Sequence, residues 1–203
     1  MNSLNPNPIT VIQELLLPQA TVQLVNYPAK GPVQETMHEC DEYWLDLTLT
    51  PRPINAQANY LNHWHPGRFE SLGRIFLVPR GEMLCVRGEG SKQQTSLVCK
   101  LSASALHEWL DCEQLSTDAR LAACLNISDG RIHQLLNRMA AEVRDPGLGS
   151  EALTELISAQ LAIELGRFCN GISPRLNNST QGLNERQLRL ITERCRKLNR
   201  RLA

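Results

Sequence analysis

The chain has 203 residues, with 21 Lys and Arg against 21 Asp and Glu, a formal net charge of zero and 42% hydrophobic residues. This length can bury one substantial core with a small helical module appended. A neutral chain gives no overall signal for nucleic-acid binding, and no apolar run approaches the ~18 residues of a membrane span. We therefore expect an ordinary globular protein without membrane association.

The N-terminus and the cysteines both favour the cytoplasm. The first eight residues contain no basic side chain, and Glu14 interrupts the short apolar run that follows, which argues against a secretory signal. The cysteines are odd in number and never form a Cys-x-x-Cys pair, which indicates reduced, buried thiols. They are Cys40, Cys85, Cys99, Cys112, Cys124, Cys169 and Cys195.

Up to about residue 102 the pattern predicts many short strands. Residues 21–25 and 43–49 alternate between apolar and polar, and 74–78, 83–86 and 95–101 are further apolar runs separated by Gly and Pro clusters. Such a series is typical of a β-barrel or sandwich. If Tyr43, Leu45, Leu47 and Leu49 face inward, Trp44 faces outward.

A glycine and proline motif within these strands carries a resemblance. Gly73, Pro79 and Gly81 are followed by Leu84, with a β-branched and apolar strand between the first two. The glycines can supply positive φ at the strand ends, and Pro79 removes a ladder N–H. The spacing resembles the second signature of the cupin barrels, in which the position of Leu84 is a metal-binding His. The resemblance implies a barrel that has lost this ligand.

After residue 102 the hydrophobic period becomes helical. Ser102 or Ser104 caps a short helix through residue 110, while 121–127 is equally compatible with a strand or a helical turn. Asp129 then caps a helix that ends at the Asp-Pro-Gly sequence 145–147. A second helix begins at 150–151 and runs to Phe168, with Gly171 and Pro174 as its stop.

The second long helix is apolar on more than one side, which predicts that it buries two faces. One face would pack on the neighbouring helix and the other on a second copy of the protein, although a helix enclosed within one monomer is the alternative. The residues predicted to dimerise are Leu153, Leu156, Ile157, Gln160, Leu161 and Glu164.

The end of the chain is different in character. Residues 172–182 form a polar linker, and 183–203 predict a basic helix with one apolar stripe that it cannot bury alone. The predicted organisation is a barrel over 1–127, a helix pair over 128–171, the linker, and the start of a further domain over 183–203.

This order of parts resembles the AraC family of bacterial transcription regulators. The resemblance is densest in 73–101, in the helix pair with its Glu-Val-Arg-Asp-Pro-Gly joint at 142–147, and in 183–192. It implies a cupin-like α+β domain that binds a small effector, a homodimer formed through the helix pair, and control of promoter DNA by a helix-turn-helix domain. That domain is not in this sequence. The implied protein is cytoplasmic, is not an enzyme and has no cofactor.

Two sets of residues are candidates for chemistry. A small barrel is filled by its own side chains or holds one small ligand. The residues predicted to line it are His38, Tyr60, His63, Trp64, His65 and Arg74, with Trp44 as a further candidate unless it faces outward. The alternative is a cupin metalloenzyme that uses His63, His65 and Glu70, since imidazole and carboxylate suit Fe, Mn or Zn. The spacing of the glycines around these residues and the aliphatic Leu84 count against the metal site.

Overall fold

The structure is a computed structural model that describes residues 9–28, 32–37, 41–53, 55–89, 93–107, 109 and 117–172. Its strands are β1 Thr10–Leu17, β2 Ala20–Tyr27, β3 Val33–Met37, β4 Tyr43–Thr48, β5 Gln57–Tyr60, β6 Glu70–Ser71, β7 Ile75–Val78, β8 Leu84–Gly88 and β9 Gln94–Leu101. Its helices are α1 Ala103–His107, α2 Asp118–Cys124, α3 Gly130–Arg144 and α4 Ser150–Gly171. The predicted change from strands to helices near residue 102 is confirmed.

The strands form two antiparallel sheets with the strand order of a jelly roll. The five-stranded sheet has the order β1-β2-β9-β4-β7, and the four-stranded sheet has the order β3-β8-β5-β6. From β2 onward the pairs are nested, because β2 pairs with β9, β3 with β8, β4 with β7 and β5 with β6. This rolled hairpin is the double-sheet jelly roll that cupins share with capsid and lectin domains. The prediction of a cupin-like α+β fold is confirmed at this level.

One face of the five-stranded sheet packs against the helices. Leu45 and Leu97 of this face are fully buried in the same hydrophobic cluster as Leu136 of α3 and Leu161 of α4. Each fully buried leucine contributes about 1.5–3 kcal/mol relative to an exposed one, so this cluster fixes the helix pair on the sheet.

The opposite face of the same sheet turns toward the four-stranded sheet. Phe76 and Val78 of β7 share a second cluster with Tyr60 and Leu84 of the four-stranded sheet, and Trp44 packs against it. The outward orientation considered for Trp44 is therefore wrong: because helices cover the Leu45 side, Trp44 lies between the sheets. Strand alternation separates two faces but does not reveal what covers each of them.

Both long helices begin and end close to their predicted bounds. Asp129 is the N-cap of α3, and its side chain accepts hydrogen bonds from the backbone N–H groups of Arg131 and Ile132. The α1 start is also confirmed, since Ser102 Oγ accepts from the Ala105 N–H at 3.2 Å. No helix in the described ranges combines the length and apolarity that a bilayer crossing requires.

Both interpretations of residues 121–127 hold in part. The segment is helical through Cys124, and it then forms two ladder-like bonds with the start of β7, from Gly73 N to Leu125 O at 2.8 Å and from Ile127 N to Ile75 O at 2.9 Å. The close approach of this segment is permitted by the missing side chain at position 73.

The two motif glycines have different roles. Gly81 has φ of 78°, as predicted, but Gly73 has no positive φ. A Cβ at Gly73 would lie 2.0 Å from Asn126 Oδ1 and 2.9 Å from Asn126 Cα. The prediction of a positive φ is therefore confirmed for Gly81 and wrong for Gly73, where the absence of a side chain is required for close packing against Asn126.

Several predicted features lie outside the described residues. These are the basic helix 183–203, the linker beyond Ile172, and His38 of the effector candidates.

Candidate ligand site between the sheets

Leu84 occupies the motif position at which a cupin would place a metal ligand. It is the first residue of β8, is fully buried, and pairs with Met37 of β3 on one side and Tyr60 of β5 on the other. Its side chain belongs to the cluster between the sheets. An aliphatic side chain has no lone pair, so this position contributes packing and no coordination.

The residues of the alternative metal site each engage a different partner. His63 Nε2 lies 2.8 Å from Glu82 Oε1. His65 Nδ1 accepts the backbone N–H two residues later at 3.2 Å, and Glu70 Oε1 accepts from the guanidinium two residues before it at 3.4 Å. Across the described ranges, no three His, Cys, Asp or Glu side chains are grouped so that they could hold a metal ion.

Tyr60 and Trp64 are brought together, but as packing residues. Tyr60 is fully buried, its hydroxyl donates to Leu77 O at 2.9 Å, and its ring meets that of Trp64 edge-on with centroids 5.3 Å apart. Burial raises the pKa of Tyr60 well above its ordinary value. Trp64 Nε1 donates to Asp118 Oδ1 at 2.9 Å, and the guanidinium of Arg68 stacks on the Trp64 ring. These side chains fix the 61–69 loop to α2.

Arg74, the remaining predicted effector residue, is separate from this group. Its side chain is exposed and donates from Nη2 to Thr48 O at 3.4 Å. It borders a cavity of about 350 Å³ at the beginning of α3, together with Asp129 and His133. The predicted effector residues therefore do not converge on one site in the described part of the chain.

A buried polar cluster, which the sequence analysis missed, lies between the sheets around Asp46. Asp46 is 1% exposed, yet it lies in the middle of β4. Arg52 Nη2 donates to its Oδ1 at 2.9 Å, and the Tyr27 hydroxyl donates to its Oδ2 at 3.1 Å. Two donors, one from β2 and one from the loop after β4, thus meet one carboxylate.

Burial shifts the pKa values of the acidic groups in this cluster upward. Burial raises the pKa of the Asp46 carboxyl from its ordinary 3.8, and the Arg52 charge with the hydrogen bonds from Arg52 and Tyr27 opposes the shift. Burial, followed by the Asp46 charge, raises the pKa of Tyr27 well above 10. The Tyr27 hydroxyl therefore remains a proton donor at neutral pH.

Two buried donors beside Asp46 lack an acceptor within the described residues. They are Trp44 Nε1 and Arg52 Nε. Each side chain also takes part in a cation–ring contact: Lys100 Nζ lies 5.1 Å from the centroid of the Trp44 ring, and the Arg52 guanidinium lies 5.0 Å from the centroid of the Phe76 ring. Trp44 and Asp46 are two residues apart on one face of β4, about 6.6 Å along the strand. A buried N–H without an acceptor costs free energy unless water, an ion or a ligand supplies one.

One sequence signal could have located this site. In the run 43–49, Asp46 is the only charged residue among alternating apolar ones, and a charge in a strand of a packed sheet requires a partner. The identity of that partner, Arg52, depends on how the turn after β4 folds back.

The helix residues predicted to dimerise fall on two sides of α4. Ile157, Leu161 and Glu164 are buried within the chain, Leu153 is half-buried, Gln160 is exposed and Leu156 is 46% exposed. Glu164 accepts from two arginines, Arg131 at 3.2 Å and Arg167 at 2.7 Å, which attach it to α3 and to its own helix. Of the residues predicted to dimerise, Leu156 and Gln160 are the exposed ones within the described part of the chain.

Neither a family model nor a curated protein matches the sequence. Similar solved structures include the Cnp3 cupin domain of Schizosaccharomyces pombe (13% identity, 50% of this chain and 66% of that one, TM-score 0.35). A cupin domain of Bordetella pertussis has 12% identity over 50% of this chain and all of that one, with a TM-score of 0.37. A recombinant oxalate oxidase in complex with glycolate has 14% identity over 80% of this chain and 76% of that one, with a TM-score of 0.32. At these low TM-scores, the cupin-like description rests on the strand order of the chain itself.

Proposed function

We propose that the chain is the effector-sensing and dimerisation part of an AraC-type transcription regulator. A small molecule binds between the sheets and changes how the jelly roll and the helix pair control a helix-turn-helix domain outside this sequence. The protein is a cytoplasmic homodimer, contacts promoter DNA only through that further domain, and is not an enzyme.

The buried donors Trp44 Nε1 and Arg52 Nε carry the proposal for a ligand. Arg52 is hydrogen-bonded to Asp46, Trp44 lies two residues before Asp46 on the same face of β4, and neither donor has an acceptor among the described residues. A ligand with a carbonyl or hydroxyl oxygen would accept hydrogen bonds from these two donors. Lys100 contacts the Trp44 ring and Phe76 contacts the Arg52 guanidinium, so both would lie next to the ligand. The effector site therefore centres on Trp44, Asp46 and Arg52 in place of Tyr60 and Trp64.

The aliphatic character of Leu84 favours recognition over catalysis. Leu84 is fully buried where the resembling motif has a metal ligand, and the imidazoles of the alternative site point to separate partners. Metal analysis of the purified protein tests this choice. About one equivalent of Fe, Mn or Zn per chain would favour the metalloenzyme instead.

A tryptophan exchange tests the ligand site. Trp44→Phe removes the Nε1 donor and keeps most of the packing. Trp109→Phe removes a donor that is likewise buried without an acceptor among the described residues but belongs to the helix-side cluster. A metabolite library is screened by thermal shift, and hits are titrated by calorimetry. We expect Trp44→Phe to weaken hits by about tenfold and Trp109→Phe to leave them unchanged. Equal effects of the two changes, or no hit at all, would refute the site.

The sensing role also requires dimerisation through the outer side of α4. The chain is fused to a DNA-binding domain that represses a reporter only as a dimer, and Leu156→Glu is compared with Leu148→Glu. Both leucines are exposed, so neither change disturbs the core. We expect Leu156→Glu to relieve repression and Leu148→Glu to have no effect. Repression that persists in the Leu156 variant would place the interface elsewhere, and no repression by the unaltered fusion would contradict the dimer.

A further inference from the structure

The outer face of the four-stranded sheet contains a polar groove on the side away from the Asp46 cluster. Gln34 pairs with Arg87, Arg87 with Gln57, and Gln57 with Ser71, so these side chains share one face. The adjacent residues Leu84 and Val86 of β8 and Ala58 and Tyr60 of β5 point to the other face, into the cluster between the sheets. The groove is thus separate from the proposed effector site.

The groove has the volume of a small-molecule site and a polar lining. Its volume is about 650 Å³, within the ~300–1,000 Å³ usual for small ligands. The polar residues that line it are Gln34, Asn55, Gln57, Ser71, Arg87 and Glu89. Amides and a hydroxyl both donate and accept hydrogen bonds, so they match the hydroxyl groups of a ligand.

Arg87 is held in a fixed orientation at the centre of this lining. Its Nε and Nη2 donate to Gln57 Oε1 at 3.0 and 2.8 Å, and its guanidinium carbon lies 3.7 Å from the centroid of the Phe69 ring. These contacts occupy one edge and one face of the guanidinium. Nη1 has no hydrogen-bond partner among the described residues, so it is the donor that a ligand in the groove would use. A planar guanidinium fixed in this way is suited to a carboxylate, and little side-chain entropy is lost on binding.

Glu89 restricts the charge of the ligand. It lines the same groove two residues after Arg87. A second carboxylate on the ligand would be repelled by Glu89, whereas a hydroxyl would donate to it. We propose that this groove binds a small hydroxylated monocarboxylate, with its carboxylate on Arg87 and its hydroxyl groups on Gln34, Asn55, Ser71 and Glu89. This inference goes beyond the proposed function and does not depend on it.

Titrations followed by amide and arginine side-chain NMR test the proposal on the whole chain. The probes are gluconate, quinate and lactate, with gluconamide as the neutral counterpart of gluconate and malate as a dicarboxylate. We expect at least one hydroxymonocarboxylate to shift the Arg87 Nε–H and the amides of Gln57 and Ser71. Gluconamide and malate should bind at least about tenfold more weakly than the best probe, the size of one lost or opposed charge-assisted contact.

Matched variants separate this groove from general anion binding. Arg87→Ala should weaken the best probe by about tenfold or more, while Arg80→Ala removes an exposed arginine elsewhere and should not change it. Glu89→Gln should strengthen the binding of malate, because it removes the charge that repels the second carboxylate. Because Trp44→Phe acts only between the sheets, it should leave probe binding intact, so the two proposals can fail separately. If none of the three probes shifts Arg87, or if Arg80→Ala weakens binding as much as Arg87→Ala, the proposal is overturned.

Discussion

Arg52→Met tests whether the interior of the jelly roll depends on the Asp46 pair. The carboxylate is 1% exposed and the Arg52 side chain 11% exposed, with Nη2 and Oδ1 2.9 Å apart. Removing one partner of such a buried pair leaves an uncompensated charge, which costs about 3–5 kcal/mol of unfolding free energy. Tyr27 still donates to Asp46, so we expect the lower end of this range.

Urea unfolding at neutral pH, followed by far-UV circular dichroism, provides the measurement. The urea concentration at the unfolding midpoint should fall. The slope of the unfolding free energy against urea concentration should stay constant, because the surface exposed on unfolding is unchanged. Adding Asp46→Asn to Arg52→Met should recover about 1–2 kcal/mol, since the neutral amide no longer needs a cation. Arg80→Met, which removes an exposed guanidinium 3.7 Å from Asp41, should not change stability measurably. A loss below about 1 kcal/mol for Arg52→Met, the value of a surface ion pair, would refute the buried pair.

Three further changes test other parts of the structure. Burial raises the folded-state pKa of Asp46 above its ordinary 3.8, so its contribution to stability is full below the unfolded pKa and is lost as pH rises through the folded pKa. The unfolding free energy of the Asp46→Asn variant minus that of the original chain should therefore increase from acid to neutral pH. A difference that does not change with pH would contradict the raised pKa of Asp46. Gly73→Ala should cost about 1–3 kcal/mol in urea unfolding, because its Cβ would meet Asn126. Gly147→Ala, with open space around it, should be neutral, and equal costs would contradict the close approach. Asp129→Ala should cost about 1 kcal/mol as a lost N-cap, and no loss would contradict the cap.

The elements with local signals were predicted well. The helix beginning at Asp129 and the one beginning at Ser150 follow from caps, breakers and apolar periodicity within about twenty residues. The strands at 43–49, 75–78 and 95–101 follow from alternation and flanking turns. In each case the residues that specify the element lie inside it or next to it.

Strands without such signals were missed. β3 has the sequence Val-Gln-Glu-Thr-Met, and β6 has only two residues. Neither is distinguishable from a loop by composition, and each becomes a strand because a distant segment offers ladder hydrogen bonds, as β8 does for β3. β1 was also missed, since its apolar run breaks at Glu14 and its register shifts between Val11 and Gln13.

The sequence alone determined that a strand-rich half precedes a helix pair and that an aliphatic residue stands at the motif position of Leu84. Only the tertiary structure decided that Trp44 and Asp46 lie between the sheets while Leu45 faces the helices. Period-two alternation is symmetric between the two faces of a strand, so it cannot state which face meets which layer. That choice comes from the nested strand pairing and from the helices packed on one side, both of which join residues far apart in the chain.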